Sequence, residues 1–141
     1  MKILVIHTAF IGDIVLSTPL LKRIREVYPE AKITYVTTPI GATILRNNPM
    51  ITEIIEYDKR KTHSGIKGLL ALGRRLRYEN FNIVITPHRY LRSSILGWLT
   101  RSPKRVGYDI ASGSCLFTDK IKYDKSKHEV EKLLSFMGDV P

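Results

Sequence analysis

The stretch Met1-Lys-Ile-Leu-Val-Ile-His-Thr-Ala-Phe-Ile-Gly-Asp13 decides the fold class of this chain. Its apolar run from Ile3 to Ile6 is typical of a fully buried strand, and Gly12 predicts a tight turn into a helix that has Asp13 at its start. A carboxylate would then lie at the carboxyl edge of a central strand, where open α/β sheets bind ligands. Asp13 is therefore a candidate site residue, and a helix N-cap without chemistry is the alternative.

Strand and helix patterns alternate along the rest of the chain, which predicts an α/β fold with a mainly parallel sheet covered on both faces. The predicted strands are 2–7, 32–37, 54–57, 81–86 and 104–108, and the predicted helices are 13–28, 39–46, 66–78, 90–99 and 128–137. Pro19 in the first helix either kinks it or belongs to a second helix start capped by Thr18. The segment 116–121 is only weakly patterned.

Apolar spacing predicts which side chains of the later segments are buried. In the third predicted helix we expect Ile66, Leu69, Leu70 and Leu76 to face inward, while Lys67, Arg74 and Arg77 stay in water. In the fourth, Trp98 is expected in the core together with Leu91, Ile95 and Leu99. The only cysteine, Cys115, is expected to be a packed thiol, and it excludes an internal disulfide.

The positive charge of this chain is concentrated in one third of its length. The net charge is +10, yet residues 59–105 contain 12 Lys and Arg against one acid, Glu79, while the remainder is nearly neutral. Such a concentration indicates an anionic partner, namely a phosphorylated substrate, a nucleic acid or an acidic membrane surface. A solvated basic face without a ligand is the alternative. At 141 residues, with no apparent signal peptide and no long apolar run, the chain is predicted to be one cytoplasmic domain.

Several kinds of site are excluded by their missing motifs. The chain has no Gly-rich dinucleotide fingerprint, no P-loop and no Ser nucleophile elbow. Its four histidines are scattered without the spacing of metal ligands. His7 and His88 are predicted to line a crevice at the carboxyl strand ends. A carboxylate such as Asp13 among cationic groups suits a general base that takes the proton of a substrate hydroxyl while arginines hold the substrate's anionic groups.

Taken together, ordered segments across nearly the whole chain resemble glycosyltransferase family 9, the ADP-heptose:lipopolysaccharide heptosyltransferases. The matching segments are Lys2–Asp13, Ser17–Arg25, Tyr28-Pro29, Asn48-Pro49, Tyr57–Lys59, Phe81–Ile85, Leu91–Ser94, Arg105–Asp109 and His128–Glu131. The resemblance implies a Rossmann-like three-layer α/β/α domain, the N-terminal half of a two-domain GT-B enzyme. Residues 1–141 would be the acceptor-binding domain, and the domain that binds the nucleotide-sugar would lie outside this chain.

The resemblance also implies a mechanism and a set of site residues. Asp13 matches the general base of an inverting, metal-independent transfer of heptose to a lipid-linked anionic saccharide, with no cofactor besides the donor. The candidate acceptor-binding residues are Thr8, Gly12, Arg60, Lys61, His88, Arg89 and Arg92; Arg92 could instead cap its helix or form a salt bridge. Arg105 is a weaker candidate. Departures at His7, Ala9 and Phe10 leave the acceptor and donor sugars open.

Two further expectations concern the activity of the 141-residue chain and its contact with a membrane. The 141-residue chain alone is expected to transfer no sugar. The basic helix face of Lys67, Arg74 and Arg77 is the expected place of a peripheral contact with the inner membrane. The alternative is a stand-alone basic α/β module that binds nucleic acid or a phosphorylated ligand. No recognised nucleic-acid motif is present, and aromatic residues do not interleave with the basic run.

Overall fold

The computed structural model describes residues 1–8, 11–58 and 65–123. Over these residues, strands and helices alternate as the sequence pattern predicts. Their order is β1 Lys2–Ile6, α1 Ile11–Leu16, α2 Thr18–Val27, β2 Lys32–Thr37, α3 Pro39–Leu45, β3 Glu53–Glu56, α4 Gly65–Tyr78, β4 Ile83–Thr86, α5 Leu91–Leu99, β5 Lys104–Tyr108, a 3₁₀ turn Ser114–Leu116 and β6 Asp119–Ile121. The predicted helix 128–137 lies outside the described residues.

The strands form one parallel sheet in the order β3-β2-β1-β4-β5-β6. β1 is central and pairs on one side with β2 and on the other with β4, with Val5 opposite Tyr35 and Ile85. The chain moves outward from β1 to β3 and then crosses back to β4, so the direction of winding reverses between β1 and β4. This is the Rossmann-like strand order, and the predicted fold class is confirmed.

The helices cover both faces of the sheet, which gives the three-layer arrangement. On one face, Ile14 of α1, Leu21 of α2 and Leu45 of α3 pack in a core with Ile3 and other side chains of the sheet. On the other face, the core side chains of α4 and α5 are Leu69, Leu72, Leu76 and Leu96, which pack against Leu4, Ile6 and Val84. Because alternate residues of β1 supply the two cores, the whole of its apolar run is buried, as is usual for a central parallel strand.

The first predicted helix is two helices, α1 and α2, divided at Ser17. Pro19 lies in the first turn of α2, where its missing N–H costs no hydrogen bond, so the second-start alternative is correct and the kink is not. The residue before α2 is Ser17 rather than the predicted Thr18. Ser17 Oγ donates to the carbonyl of Ile14 at 2.6 Å and lies 2.7 Å from the hydroxyl of Tyr35 on β2.

Tyr35→Phe is expected to destabilise the fold, because it removes the hydrogen bond to Ser17 at the point where α1 and α2 divide. The single Ser17 proton is used on Ile14, so the fully buried Tyr35 hydroxyl donates to Ser17 Oγ. Burial raises the pKa of Tyr35, which keeps this donor protonated, although the Ser17 hydrogen bond acts in the opposite direction. We expect the free energy of unfolding to fall by about 1 kcal/mol in urea titrations. An unchanged midpoint would show that this hydrogen bond is not stabilising.

The buried face of α4 differs from the predicted one. Ile66 is 73% exposed and Leu70 is 46% exposed, whereas the buried face comprises Leu69, Leu72, Gly73 and Leu76. Gly73 explains the difference, because a Cβ there would lie only 2.6 Å from the Leu99 side chain. The glycine lets α4 and α5 approach closely, and the buried face turns toward it.

Three other burial predictions are wrong. Trp98 is 36% exposed because the buried side of α5 consists of the small or short residues Ser93, Ser94 and Gly97 together with Leu96. Leu91 is also exposed, at 48%. Cys115 is exposed in the 3₁₀ turn and is not a packed thiol. Among the described helices, none is long and apolar enough to cross a bilayer.

Candidate functional site at the carboxyl edge of the sheet

The polar residues that follow β1 and β4 meet at the carboxyl edge of the sheet. His7 and Thr8 follow β1, and His88 and Arg89 come shortly after β4. Because β1 and β4 are adjacent and parallel, these residues lie at the point where the winding reverses. The structure therefore brings together the sequence-predicted residues His7, Thr8, His88 and Arg89 at the position where such folds bind ligands.

His7 and His88 stack on each other at this edge. Their ring centroids are 5.1 Å apart with an interplanar angle of 4°, and both side chains are buried. Tyr90 meets the His88 ring edge-on at 4.9 Å. Burial lowers the pKa of His7 from 6.5 to about 4, so its imidazole is neutral at physiological pH. The two histidine rings thus form a stacked, buried pair at this edge of the sheet, and His7 adds no positive charge there.

His7 is expected to make the stability of the protein depend on pH. Its imidazole takes up a proton near pH 6.5 when unfolded but only near pH 4 when folded, so acidification between these values favours unfolding. Between about pH 7.5 and about pH 5, His7 accounts for a loss of ~2 kcal/mol in the free energy of unfolding. Urea titrations of wild type and His7→Gln at both pH values measure it. An equal loss in the variant would contradict this assignment.

A cavity of about 360 Å³ opens beside these histidines and is called here the carboxyl-edge cavity. It is lined by Thr8, Tyr57, Arg89, Tyr90, Leu91, Arg92 and Ser112. The Thr8 hydroxyl lies 3.3 Å from the hydroxyl of Ser93 in α5, and this contact fixes the end of β1 against α5. Hydroxyl groups and two arginines around one concave space fit a polar, anionic ligand.

Arg92 links the two ends of the loop that follows β3. Its Nε donates to the Tyr57 hydroxyl at 2.9 Å, and its Nη2 donates to the Gly65 carbonyl at 3.1 Å. The guanidinium carbon also lies 5.9 Å from the centroid of the Tyr57 ring. The N-cap of α5 is Tyr90, so Arg92 is not a helix cap. It anchors Tyr57 and Gly65, the two residues that flank 58–64. Arg60 and Lys61 belong to that segment and lie outside the described residues.

Arg89 is the more exposed arginine of the carboxyl-edge cavity. Its guanidinium carbon lies 5.4 Å from the centroid of the Tyr123 ring, which in turn packs edge-on against Tyr108 at 5.1 Å. The Arg89 carbonyl accepts a hydrogen bond from the N–H of Ser112 at 3.1 Å, which fixes the backbone at this position. Arg89 thus presents a positioned charge at the mouth of the cavity.

Asp13 lies at the same edge, in the first turn of α1, and is half-buried. It is the third residue of α1, since the helix begins at Ile11, so it does not occupy the N-cap position. Gly12 lies inside the helix instead of forming the predicted turn, and it has no positive φ. Its missing side chain leaves the surface before Asp13 open, because a Cβ at Gly12 would meet no atom within 4 Å.

The concentrated positive charge does not form one crevice. Arg89 and Arg92 lie at the carboxyl edge, but α4 and α5 run back across the sheet and carry Arg74, Arg77 and Arg101 to the opposite, amino-terminal edge. The Arg105 side chain, the weaker candidate for the site, donates hydrogen bonds to the carbonyls of Leu116 at 2.9 Å and Ser102 at 2.6 Å, both near it in the sequence. Lys67, Arg74 and Arg77 are exposed, as predicted.

Sequence reasoning missed the contribution of Tyr57, Tyr90 and Ser112 to the cavity. These residues come from three separate loops, so no short motif contains them. Among residues 1–8, 11–58 and 65–123, no group of three His, Cys, Asp or Glu side chains is placed to hold a metal ion.

Comparisons with known proteins place this chain among glycosyltransferases. The sequence profile of "Glycosyltransferase family 9 (heptosyltransferase)" matches residues 69–139, half of the chain. The lipopolysaccharide core heptosyltransferase OpsX of Haemophilus influenzae is 25% identical over 136 residues, which cover 94% of this chain and 38% of that protein. Lipopolysaccharide heptosyltransferase 3 of Escherichia coli is 33% identical over 76 residues, which cover 52% of this chain and 22% of that protein.

Solved structures share the fold. A family 9 glycosyltransferase from Veillonella parvula superposes with a TM-score of 0.88 and 28% identity, over 96% of this chain and 40% of that one. Escherichia coli heptosyltransferase WaaC, solved with ADP-2-deoxy-2-fluoro heptose, gives a TM-score of 0.83 at 21% identity, over 99% and 48%. The chain spans 22–38% of the length of the curated relatives it matches. By sequence and by fold, this chain belongs to glycosyltransferase family 9, the heptosyltransferases.

Proposed function

We propose that this chain is the acceptor-binding half of an inverting, metal-independent glycosyltransferase that moves heptose, or a related sugar, from a nucleotide-sugar to a lipopolysaccharide inner-core acceptor. The observation that carries the proposal is the coincidence of family membership with a polar site at the β1–β4 switch point. That site holds a carboxylate, Asp13, and an arginine-lined cavity on neighbouring elements. A base and a cationic acceptor site are the two functions that the acceptor half of such an enzyme needs.

Asp13 acts as the general base in this proposal. Its carboxylate takes the proton from an acceptor hydroxyl as the oxygen attacks the anomeric carbon of the donor, and the nucleoside diphosphate leaves with the bonding electrons. One displacement inverts the anomeric configuration. The open space beside Gly12 supports this role, because a Cβ at Gly12 would meet none of the described atoms within 4 Å.

The carboxyl-edge cavity binds the anionic groups of the acceptor in this proposal. Arg89 supplies an exposed guanidinium and Thr8 lines the cavity, while His88 packs against Tyr90, which lines it too. Arg92 holds Tyr57 and Gly65, which flank the segment that carries Arg60 and Lys61. Arg60 and Lys61 are further candidate ligands of the same anionic groups. Charge-assisted hydrogen bonds from several arginines suit carboxylate or phosphate groups on a saccharide.

The donor is bound by a second domain that this chain does not contain. The relatives are about two to four and a half times as long as the matched segment, and the relative WaaC was solved with an ADP-heptose analogue. We therefore propose ADP-heptose or a close relative as donor, with no other cofactor. The lipid-linked acceptor places the reaction at the cytoplasmic face of the inner membrane.

The experiment that tests the proposal compares the longer protein with the 141-residue chain. Each is incubated with ADP-heptose and a lipopolysaccharide inner-core acceptor, with and without EDTA, and the product is analysed by mass spectrometry and by NMR of its anomeric carbon. We expect EDTA-insensitive transfer with inversion by the longer protein and none by the chain alone. Transfer with retention, dependence on a metal ion, or turnover by the chain alone would contradict the proposal.

A further inference from the structure

A second, larger concave surface lies at the amino-terminal edge of the sheet, opposite the site described above. It has a volume of about 780 Å³ and is called here the amino-edge cleft. α4 and α5 both end beside it, and its polar lining consists of Arg74, Arg77, Asn80, Asn82, Thr100 and Arg101, together with the phenol of Tyr78. None of the nine described residues that line it is Asp or Glu.

Two acids near this edge pair with other cations. Glu79 pairs with Lys2 at 3.0 Å, and Glu53 pairs with Arg75 at 3.7 Å. Over the described part of the chain, no ion pair of 4 Å or less involves Arg74, Arg77 or Arg101. Three guanidinium groups therefore line one cleft, and no carboxylate among the described residues pairs with them. An anion bound between these like charges would lower their mutual repulsion.

Arg101 is held in an unusual position for a long side chain. It follows α5 with a left-handed backbone, φ 59°, at a site where helices generally have Gly or Asn. The equivalent residue after α4 is Asn80, with φ 56°. The Arg101 guanidinium carbon lies 4.8 Å from the centroid of the Trp98 ring. Stacking restrains the guanidinium and leaves the N–H groups at its edge available to an oxyanion.

Amide groups complete the set of donors. The Asn82 carbonyl oxygen accepts the backbone N–H of Lys2 at 2.8 Å, which leaves its amino group as a donor beside the arginines. Guanidinium groups, together with an amide donor, match the oxygens of a phosphate group. The volume of the cleft lies within the range of small-molecule binding sites.

We propose that the amino-edge cleft is a phosphate-binding site, separate from the acceptor site, which recognises a phosphate group through Arg74, Arg77 and Arg101. Two sources of that group share this chemistry, a soluble phosphorylated molecule and the headgroup of an anionic phospholipid. The proposal does not depend on the glycosyltransferase activity, because it rests on residues at the opposite edge of the sheet.

The test measures binding of the 141-residue chain to two probes. One is inorganic pyrophosphate, followed by calorimetry, and the other is vesicles of phosphatidylglycerol and phosphatidylcholine, followed by co-sedimentation against pure phosphatidylcholine. The triple variant Arg74→Gln, Arg77→Gln, Arg101→Gln is compared with a control of equal charge, Lys22→Gln, Arg46→Gln, Lys120→Gln, at exposed positions elsewhere. Arg101→Gly is a further variant, since glycine suits the left-handed backbone and should preserve the fold.

We expect the triple variant to weaken binding about tenfold or more and the control to change it little. Arg101→Gly should weaken binding with an unchanged or higher melting temperature. Pyrophosphate binding that the triple variant loses indicates a soluble ligand, and binding confined to anionic vesicles indicates a lipid headgroup; either supports the site. Binding of neither probe, or equal losses in the triple variant and the control, would overturn the proposal.

Discussion

Asp13→Asn in the longer protein is expected to lower kcat by about 10²–10⁴ while the KM for the acceptor changes little. The amide has nearly the same shape as the carboxylate, so packing in the first turn of α1 is preserved. What is lost is the ability to take the proton of the acceptor hydroxyl as its oxygen attacks. Steady-state transfer with both substrates varied measures the two parameters separately.

A matched control distinguishes the base from a general effect of charge. Asp119→Asn removes the same charge from an exposed position on β6 and should leave kcat unchanged. Full activity in Asp13→Asn would remove Asp13 from the mechanism. A loss of activity that is accompanied by unfolding, seen by circular dichroism, would identify Asp13 as a structural residue instead.

Arg92→Ala is expected to raise the KM for the acceptor by about ten- to a hundredfold, with a smaller change in kcat. The substitution removes the hydrogen bonds to the Tyr57 hydroxyl and the Gly65 carbonyl, so the ends of the 58–64 segment are no longer joined. Arg92→Lys should restore little, because a single ammonium lacks the planar fork that reaches both acceptors. Acceptor titrations at saturating donor provide the measurement.

Tyr57→Phe separates the two contacts of Arg92. It removes one hydrogen bond and keeps the aromatic ring that lies near the guanidinium, so its effect on the acceptor KM should be several-fold at most. If Arg92→Ala lowered the melting temperature but left the acceptor KM unchanged, Arg92 would only stabilise the fold and would have no role in the site.

The architecture was predictable because its signals are local. Buried runs such as Ile3 to Ile6 and Ile83 to Ile85 define central strands, and alternation with amphipathic helices defines a parallel sheet. The strand β6 was missed because it has only three residues, two of them exposed, so it carries no apolar pattern.

The errors arose where tertiary packing overrides periodicity. Leucines recur through α4 at spacings that allow more than one buried face. Gly73 selects the observed face, but a glycine does not contribute to a hydrophobic pattern. In α5, the sheet side is occupied by Ser93, Ser94 and Gly97, so the large Trp98 is displaced outward. Close helix packing prefers small residues, and hydrophobicity alone does not reveal it.

The candidate site was predictable only in part. Four of its residues lie just after the ends of β1 and β4, a position that follows from the topology of the sheet: His7, Thr8, His88 and Arg89. Tyr57 and Ser112 enter the carboxyl-edge cavity from distant loops, and the partners of Arg92 depend on three-dimensional contacts. The basic segment is continuous in sequence, but helices that reverse direction divide the charge of its described residues between opposite edges of the sheet.

Hydrogen exchange of the longer protein, with and without acceptor, tests the central claim most directly. The acceptor should be an inner-core saccharide whose anionic groups are carboxylates, so that a phosphate site is not engaged. We predict slower exchange in peptides that cover 7–16 and 87–92, at the carboxyl edge, and unchanged exchange in peptides that cover 74–82 and 100–104. Protection confined to the amino-terminal edge, or no protection in either region, would contradict the account.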